Sequence, residues 1–401
     1  MRHYTVVGLS NRADVDLPLE VSQRLAVHAV FSGGRRHYAL VRHLLPAGHT
    51  WITIGGDMPA LFAQYRAAAS PILVFASGDP LFYGIVRTIQ AHDPGAHLAV
   101  YPSFSSVQRL CAHICQPYEQ VKNTSVHGRD WQELDQALLH QEPLIAVLTD
   151  AVRGPAAIAE RLLTYQFDHY EMVVGEDLDG PQQRVGCYAL PQVAAHDFHA
   201  LNCVLLRQTA PRPRRWGLDD ALFAGLPGRP GMITKKAIRL LSLAQLQLAG
   251  KRVFWDIGFC TGSVAIEARC LFPHLRVVAF EKRPECEALI ETNARRLSAP
   301  GLEVVMGDFF ALDLAARPAP DAVFIGGHGN RLPELLTMLD AHLPAGATIV
   351  LNAVLERSHA QFIAQVPALG WQLLPPERIQ LDQHNPIWVL TAIKKKRERS
   401  C

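Results

Sequence analysis

A strand, a glycine-containing turn and a helix follow one another between Val253 and Glu267, and this unit restricts the possible folds more than any other feature. The apolar strand ends in Asp256, and Gly258 and Gly262 follow before apolar residues return at helical spacing. In an open parallel sheet, ligands bind outside the carboxyl ends of the strands, where a glycine turn lets the backbone approach closely. The sequence therefore predicts a ligand-binding α/β fold in this half of the chain.

Three further strand ends follow the same scheme. A strand over residues 275–280 ends at Glu281, near the spacing of roughly 20 residues expected for an acid that binds ribose hydroxyls. A strand over residues 303–306 leads to Asp308 and Phe309, which we expect to receive an adenine amino group and to flank its ring. A strand over residues 321–325 leads to a second glycine turn that would face the reactive part of a cofactor.

This order of glycine turn, acid, acid and glycine turn resembles the class I S-adenosylmethionine methyltransferases. Cys260 stands where that family has the middle glycine of its turn. Residues 230–236 and 324–327 narrow the resemblance to the C15-methylating, decarboxylating enzymes of corrin-ring synthesis, in which a serine usually replaces His328. The resemblance implies a cofactor site formed by Thr234, Gly258, Phe259, Cys260, Thr261, Gly262, Glu281, Asp308 and Phe309. Because an imidazole can transfer a proton, we expect a catalytic role for His328, and because corrin precursors carry carboxylates, we expect Lys235 to bind substrate.

In the first half, an apolar strand over residues 71–76 runs into the turn sequence Ser77-Gly78-Asp79-Pro80. Turn chemistry favours these residue types, and Pro80 favours the start of a helix. On this evidence alone, Asp79 is either a helix cap or a carboxylate that faces a ligand.

Further segments of the first half recur with that turn in a recognisable order, at residues 5–8, 33–37, 102–108, 125–129 and 146–150. Together they resemble the class III tetrapyrrole methylases, specifically the precorrin C5-methyltransferase branch, whose fold has two α/β subdomains. The resemblance implies cofactor binding by Gly8, Ser77, Gly78, Asp79, Pro80, Phe82, Ser105 and Ser106. It implies catalytic roles for Asp79 and His127. The basic candidates for substrate carboxylates are Arg35, Arg36, His37, His127 and Arg129 in the first half and Lys235, Lys236 and Arg239 in the second, and among these we select Arg35 and Arg129.

The two halves together resemble the bifunctional precorrin C5,C15-methyltransferases of cobalamin biosynthesis. We expect a tetrapyrrole methylase domain at residues 1–207, a Pro/Arg-rich linker at 208–230, and a Rossmann-like methyltransferase domain at 231–401. Thr234 is the predicted N-cap of a helix over residues 235–248. The resemblance implies one S-adenosylmethionine per domain, a precorrin substrate, methylation at C5 and C15, and decarboxylation of the C12 acetate. Because oligomers are common in both families, we also expect a homo-oligomer.

Composition restricts the remaining options. The 49% hydrophobic and 19% charged residues suit a globular protein, and a net charge of +2 predicts no nucleic-acid partner. No apolar run approaches the roughly 20 residues that cross a bilayer, and the N-terminus lacks a signal-peptide pattern, so we expect no membrane partner and a cytoplasmic location. The eight cysteines show no Cys-x-x-Cys spacing, so we predict no metal site.

Two alternatives remain open from the sequence. One is a nucleic-acid methyltransferase with an appended class III domain, and the other is an S-adenosylmethionine-binding protein without catalysis. Nucleic-acid N-methyltransferases carry an Asn/Asp-Pro-Pro-aromatic motif after the fourth strand. This chain lacks that motif, which argues against the first alternative. Cys260 in the glycine turn makes the second conceivable.

Overall fold

A computed structural model describes residues 2–15, 17–68, 71–383 and 385–395. The chain forms two compact units. The first takes the chain up to Asp130, with Pro143–Glu160 and Tyr170–Thr209, and the second takes Trp131–Glu142, Arg161–His169 and the chain from Ala210 onward. The predicted second domain extends to residue 401, of which residues 396–401 lie outside the described part.

The first unit contains two five-stranded sheets. The first sheet is wholly parallel, in the order β3-β2-β4-β1-β5. Its strands are β1 (His3–Leu9), β2 (Val30–Gly33), β3 (Thr50–Thr53), β4 (Ile72–Ser77) and β5 (His97–Tyr101). Its helices are α1 (Leu19–Val27), α2 (Arg35–Val41), α3 (Met58–Ala67) and α4 (Ile85–His92), with a 3-10 turn at Arg42–Leu44.

The second sheet has the order β6-β7-β10-β8-β9, in which only β6 and β7 are parallel. The strands are β6 (Lys122–Ser125), β7 (Leu144–Leu148), β8 (Tyr170–Glu176), β9 (Arg184–Ala189) and β10 (Asn202–Gln208). The helices in this part of the chain are α5 (Ser106–His113), α6 (Gln132–Leu139), α7 (Pro155–Thr164) and α8 (Leu190–Val193).

The second unit includes α6 because a buried carboxylate holds this helix. Asp135 is 1% exposed and accepts two hydrogen bonds from Arg161, at 2.7 and 2.6 Å, while Arg269 lies 4.0 Å away. Two hydrogen bonds from one guanidinium fix both partners in orientation as well as in distance. The sequence predicted a boundary near residue 207 but not this assignment of residues 131–142.

One mixed sheet forms the centre of the second unit, in the order β13-β12-β11-β14-β15-β18-β16, with β17 paired to β18. The strands are β11 (Val253–Ile257), β12 (Arg276–Glu281), β13 (Leu302–Met306), β14 (Ala322–Ile325), β15 (Thr348–Ala353), β16 (Gln372–Leu373), β17 (Glu377–Ile379) and β18 (Ile387–Ile393). The helices are α9 (Lys236–Leu246), α10 (Ser263–Leu271), α11 (Glu285–Arg296), α12 (Leu332–His342) and α13 (Glu356–Ala368), and 3-10 turns lie at Asp220–Leu222, Leu248–Gly250 and Phe309–Ala311.

Pairing is parallel from β13 through β15, and only the strands beyond β15 are antiparallel. The strand order reverses between β11 and β14, which is the point where open α/β sheets bind ligands. These results confirm the predicted α/β fold class. None of the helices in the described ranges combines the length and apolar character needed to cross a membrane.

Two predicted helix starts are wrong. Pro80 does not begin a helix, because residues 80–84 form turns and α4 begins at Ile85. Thr234 is not the cap of α9, whose N-cap residue is Lys235. The carboxylate of Asp220 accepts from the Lys236 amide at 3.0 Å, so a distant residue replaces the local cap that the sequence pattern favoured.

The segment predicted as a linker packs into the second unit from Gly217 onward. The amides of Gly217 and Leu218 each donate to the Glu267 carboxylate at 3.0 Å. Glu267 and Arg239 are both fully buried, and their side chains are joined by a 3.0 Å hydrogen bond. Arg239 also donates to the Thr234 carbonyl at 2.7 Å, so this ion pair fixes the backbone that leads into α9.

We predict that Arg239→Leu lowers the free energy of unfolding of the second unit by about 3 to 5 kcal/mol, because it leaves a buried carboxylate without its cation. Urea unfolding followed by tryptophan fluorescence measures this change, since all tryptophans except Trp51 belong to the second unit. Arg295→Leu, which breaks an exposed pair with Glu291, is the control and should cost less than about 1 kcal/mol. Equal losses in the two variants would contradict the importance of the buried pair.

Candidate functional site

In each unit, a large cavity lies at the carboxyl ends of the strands. The cavity of the first unit has a volume of about 530 Å³, and that of the second about 590 Å³. Predicted residues that line the first are Ser77, Gly78, Asp79, Phe82, Ser105, Ser106, His127 and Arg129. Predicted residues that line the second are Thr234, Lys235, Gly258, Phe259, Cys260, Thr261, Glu281, Asp308, Phe309 and His328.

Four predicted residues do not line a cavity: Gly8, Arg35, Pro80 and Gly262. Arg35 is exposed on α2, whereas its neighbour Arg36 lines the first cavity, because consecutive helical residues point in different directions. Pro80 is buried under Gly84, and Gly262 packs against Ile290 at the start of α10. Pro80 and Gly262 therefore shape turns, and Arg35 lies on the surface of α2.

Gly8 has a specific steric role. A Cβ atom at this position would lie 1.9 Å from the carbonyl oxygen of Gly78 and 2.7 Å from the amide nitrogen of Ser103. The end of β1 is therefore in backbone contact with the turn after β4, and only glycine permits that approach. The residue supports the cavity wall from behind.

In the second unit, the glycine turns after β11 and β14 touch. Gly258 has φ of +79°, and a Cβ atom there would lie 2.7 Å from the Gly327 amide nitrogen. Cys260 has φ of +51°, a left-handed conformation that glycine adopts at lower cost. Its amide nevertheless donates to the Glu281 carboxylate at 3.1 Å, so the turn keeps its connection to β12.

Glu281 is buried and strongly hydrogen bonded. The guanidinium of Arg283 donates to its two oxygens at 3.1 and 2.6 Å, and the amides of Lys282 and Arg283 donate as well. Burial by itself would raise the pKa of Glu281, but the hydrogen bonds and charge of Arg283 outweigh it, so this pKa is lower than normal. Glu281 is therefore a fixed carboxylate at the end of β12.

Asp256 is a second carboxylate in this cavity and is 1% exposed. Its Oδ2 accepts from the Ala265 amide at 3.0 Å, while Oδ1 has no hydrogen-bond partner within the described chain. Burial raises the pKa of Asp256 to about 7, the Ala265 hydrogen bond lowers it, and the charge of Glu281 raises it further. A buried oxygen without a partner costs free energy unless a ligand compensates it, so this site is suited to a cation.

The end of β13 carries two aromatic rings with different surroundings. Phe309 is 7% exposed and packs edge-on against Phe280, whereas the ring of Phe310 lies 3.6 Å from the Arg331 guanidinium. Asp308 accepts from the Phe310 amide at 3.3 Å and lies 3.7 Å from Arg331. Phe309 therefore belongs largely to the core, and Phe310 is the more accessible aromatic residue of the cavity.

Neutral polar groups follow β14 and β15. His328 Nε2 lies 3.1 Å from Ser358 Oγ, and its Nδ1 is buried without a partner among the residues described. Burial lowers the pKa of His328, which favours the uncharged ring. Asn352, at the end of β15, has an amide oxygen 3.0 Å from Ser242 Oγ, and its amide nitrogen is likewise buried without a described partner.

In the first cavity, backbone contacts fix the orientation of His127. Its Nδ1 lies 2.8 Å from the Thr149 carbonyl oxygen, which only accepts, so Nδ1 carries the hydrogen. The Asp150 carboxylate accepts from the amides of Gly128, Val152 and Arg153, and these backbone hydrogen bonds lower the pKa of Asp150. A neutral His127 therefore has an unprotonated Nε2, in a loop that Asp150 holds in place.

The remaining predicted residues of this cavity have local partners. Asp79 Oδ1 accepts from the Leu81 amide at 2.9 Å, so the carboxylate shapes its own turn. Ser105 is buried and caps α5, where its hydroxyl accepts from the Gln108 amide at 3.2 Å. The guanidinium of Arg129 lies 5.1 Å from the centre of the Tyr83 ring.

Sequence reasoning did not assign several residues that line the cavities, notably Asn11, Tyr83, Asp256, Arg283 and Asn352. Asp256 and Asn352 lie at strand ends, which is a signal that the sequence contains. Nothing in the local pattern marks Arg283, because its role depends on its contact with Glu281. Arg239, a lower-ranked substrate candidate, is instead fully buried in its pair with Glu267.

Comparisons with known proteins cover both units. Residues 26–192 match the family described as tetrapyrrole (corrin/porphyrin) methylases, and residues 228–398 match the precorrin methyltransferase domain family. The cobalt-precorrin-7 C(5)-methyltransferase of Salmonella typhimurium is 36% identical over 50% of this chain and 97% of its own length. The cobalt-precorrin-6B C(15)-methyltransferase (decarboxylating) of the same organism is 31% identical over 42% of this chain and 86% of its own.

One relative spans both parts. The precorrin-6Y C(5,15)-methyltransferase [decarboxylating] of a Sinorhizobium species is 31% identical over 97% of this chain and 93% of its own length. The chain therefore belongs to the family of decarboxylating precorrin-6Y C5,C15-methyltransferases.

Proposed function

We propose that this chain transfers two methyl groups from S-adenosylmethionine to a precorrin macrocycle, at C5 in the first unit and at C15 in the second, and removes carbon dioxide from the C12 acetate. The observation that carries the proposal is the presence of a separate cavity at the strand ends of each unit. Each cavity exceeds the 300 Å³ at which small-molecule sites begin, and each has a distinct set of polar groups.

The residues of the second cavity suit a cationic methyl donor. S-adenosylmethionine supplies a methyl group already activated on a sulfonium. The buried Oδ1 of Asp256 provides a negative partner for a cation, Asp308 provides an acceptor for an amino group, and Glu281 adds a fixed negative charge at the end of β12. The residues therefore fit this donor, with the acids over β11, β12 and β13.

The macrocycle would then lie on the other side of the second cavity, over β14 and β15. His328 and Asn352 present neutral polar groups there, and Val354 adds an exposed apolar surface. Decarboxylation disperses the charge of a carboxylate, so a neutral, poorly hydrated environment favours it more than a strong cation would. Catalysis otherwise consists of holding the reacting atoms in line.

In the first cavity, we assign His127 Nε2 as the base that takes a proton from the macrocycle and Asp79 as a residue of the cofactor site. Arg129 would bind an acetate or propionate side chain, since a guanidinium binds a carboxylate with two hydrogen bonds, and Arg36 would add positive charge that attracts such carboxylates. Arg36 replaces Arg35 in this role because Arg35 does not line the cavity. The proposal includes one methyl donor per unit, the domain division at residues 207 and 231, a homo-oligomer and a cytoplasmic location.

Asp79→Asn should abolish methylation at C5 and leave C15 chemistry intact, because the two cavities belong to different units. Glu281→Gln should have the reverse effect, since it weakens the fixed carboxylate of the second site. Mass spectrometry of a precorrin substrate after incubation measures both reactions: wild type adds two methyl groups and removes one carbon dioxide. Loss of both methylations in either variant would contradict independent sites.

His127→Phe should reduce the rate of C5 methylation by about 100-fold or more, the usual contribution of a positioned base, without changing affinity for the methyl donor. Single-turnover transfer of a labelled methyl group gives the rate, and calorimetry gives the affinity. The C15 reaction of the same variant is the internal control. A normal rate at C5 would exclude His127 as the base.

The affinity of the second site for S-adenosylmethionine should depend on the ionisation of Asp256. Only the deprotonated carboxylate attracts a cation, so binding should weaken as the pH falls below about 7, by up to about tenfold per unit. Calorimetry on an Asp79→Asn background isolates this site. The Asp256→Asn variant should bind S-adenosylmethionine weakly and with little dependence on pH. If its affinity still fell below a pH of about 7 as it does in the wild type, the assignment would be wrong.

A further inference from the structure

The hydroxyl group of Ser77, at the end of β4, receives two hydrogen bonds in the first cavity. The Arg36 guanidinium donates to Ser77 Oγ at 2.7 Å, and His37 Nε2 lies 2.9 Å from the same oxygen. All three residues line the cavity. The direction of the second hydrogen bond depends on which nitrogen of His37 carries the hydrogen.

The backbone determines the tautomer of His37. The amide of Gly34 donates to Nδ1 at 3.1 Å, so Nδ1 is an acceptor and the single hydrogen of the neutral ring is on Nε2. Burial, together with the charge of Arg36, lowers the pKa of His37 to about 4, so the ring is neutral at neutral pH. His37 therefore donates to Ser77.

This arrangement leaves the Ser77 hydroxyl able to form only one further kind of hydrogen bond with a ligand. A hydroxyl oxygen has two lone pairs and one hydrogen, and Arg36 and His37 occupy both lone pairs. No acceptor for the Ser77 hydrogen exists in the described parts of the chain, and the side chain is exposed to the cavity. Ser77 can therefore donate a hydrogen bond to a ligand but cannot readily accept one.

The buried carboxylate of Asp177 begins the chain of hydrogen bonds that ends at Ser77. Arg36 donates to the Asn11 amide oxygen, and the Asn11 amide nitrogen donates to Asp177. Asp177 is 6% exposed, and its second oxygen accepts from the Gln182 amide at 2.9 Å. Each group in this chain of hydrogen bonds thus has a fixed direction, which ends at the Ser77 hydroxyl.

We propose that Ser77 is a directed hydrogen-bond donor to a carboxylate bound in the first cavity, and that Arg36 and His37 are the positioning residues that orient it. The positive charge of Arg36 beside the hydroxyl favours an anionic acceptor. An ammonium group has no lone pair and cannot accept this hydrogen bond. The inference rests on the proposed function, which brings two carboxylate sources into this cavity. One is the amino-acid end of the methyl donor, and the other is an acetate or propionate of the macrocycle.

Ser77→Ala should weaken binding of the carboxylate-bearing molecule by about tenfold, the effect of one hydrogen bond to a charged group. Calorimetry on the full chain compares S-adenosylmethionine with its decarboxylated analogue, and steady-state kinetics gives the KM for the precorrin. Weaker binding of S-adenosylmethionine but not of the analogue identifies the donor carboxylate. A raised KM for the precorrin with unchanged donor affinity identifies the macrocycle carboxylate.

Ser22→Ala, on α1 and outside the residues that line the cavity, is the matched control. If Ser77→Ala changes neither affinity nor KM, the inference is wrong. Failure of the wild-type chain to methylate C5 would instead contradict the proposed function. The binding comparison needs no turnover and still tests Ser77 in that event.

The positioning role is tested separately with His37→Phe and its conservative counterpart His37→Asn. His37→Phe should cause the same loss as Ser77→Ala, and the double variant should show no further loss, because both changes remove one interaction. His37→Asn should recover part of the affinity, since its amide can accept from Gly34 and donate to Ser77. Additive losses, with C15 methylation also reduced, would indicate a merely structural role and overturn the assignment.

Discussion

Parallel strand pairing is the constraint on which both cavities depend. In the second unit, β11 pairs in parallel with β12 and with β14, so Asp256, Glu281 and Gly326 reach the same edge of the sheet. The glycine turns after β11 and β14 then come into backbone contact, which closes the floor of the cavity at the point where the strand order reverses. In the first unit, β1 and β4 pair in parallel, and Gly8 lets the two strand ends touch in the same way. A side chain at Gly8 or Gly258 would separate the loops that carry the polar groups.

In the second cavity, Asp256, Glu281 and Asp308 lie over β11 to β13, and the uncharged His328 and Asn352 lie over β14 and β15. Lys282, Arg283 and Arg331 add positive charge to the same lining. Burial sets the protonation of two of these groups. It raises the pKa of Asp256 and lowers that of His328, so the same physical effect makes one group responsive to a nearby cation and keeps the other uncharged. Arg283 counteracts burial at Glu281 and keeps that carboxylate ionised.

In the first cavity, the important feature is which nitrogen of each histidine carries the hydrogen, more than the charge of the ring. A carbonyl oxygen fixes the tautomer of His127, and a backbone amide fixes that of His37, so one ring presents a lone pair while the other presents a hydrogen. These assignments follow from the chemistry of the partner atoms, since a carbonyl cannot donate and an amide N–H cannot accept. The cavity therefore presents an unprotonated Nε2 on a neutral His127 and a hydrogen on His37 Nε2 before any ligand binds.

The sequence by itself determined the α/β class and the strands that lead to Asp79, Asp256, Glu281 and Asp308, because apolar periodicity and turn chemistry are local properties. It also predicted that Cys260 occupies a position suited to glycine, which agrees with its positive φ. Only the tertiary structure decided that Arg36 and not Arg35 lines the cavity, that Asp220 caps α9, that Arg283 holds Glu281, and that residues 131–142 join the second unit. These features depend on contacts between segments distant in the chain and on burial, and no local pattern of residues encodes either.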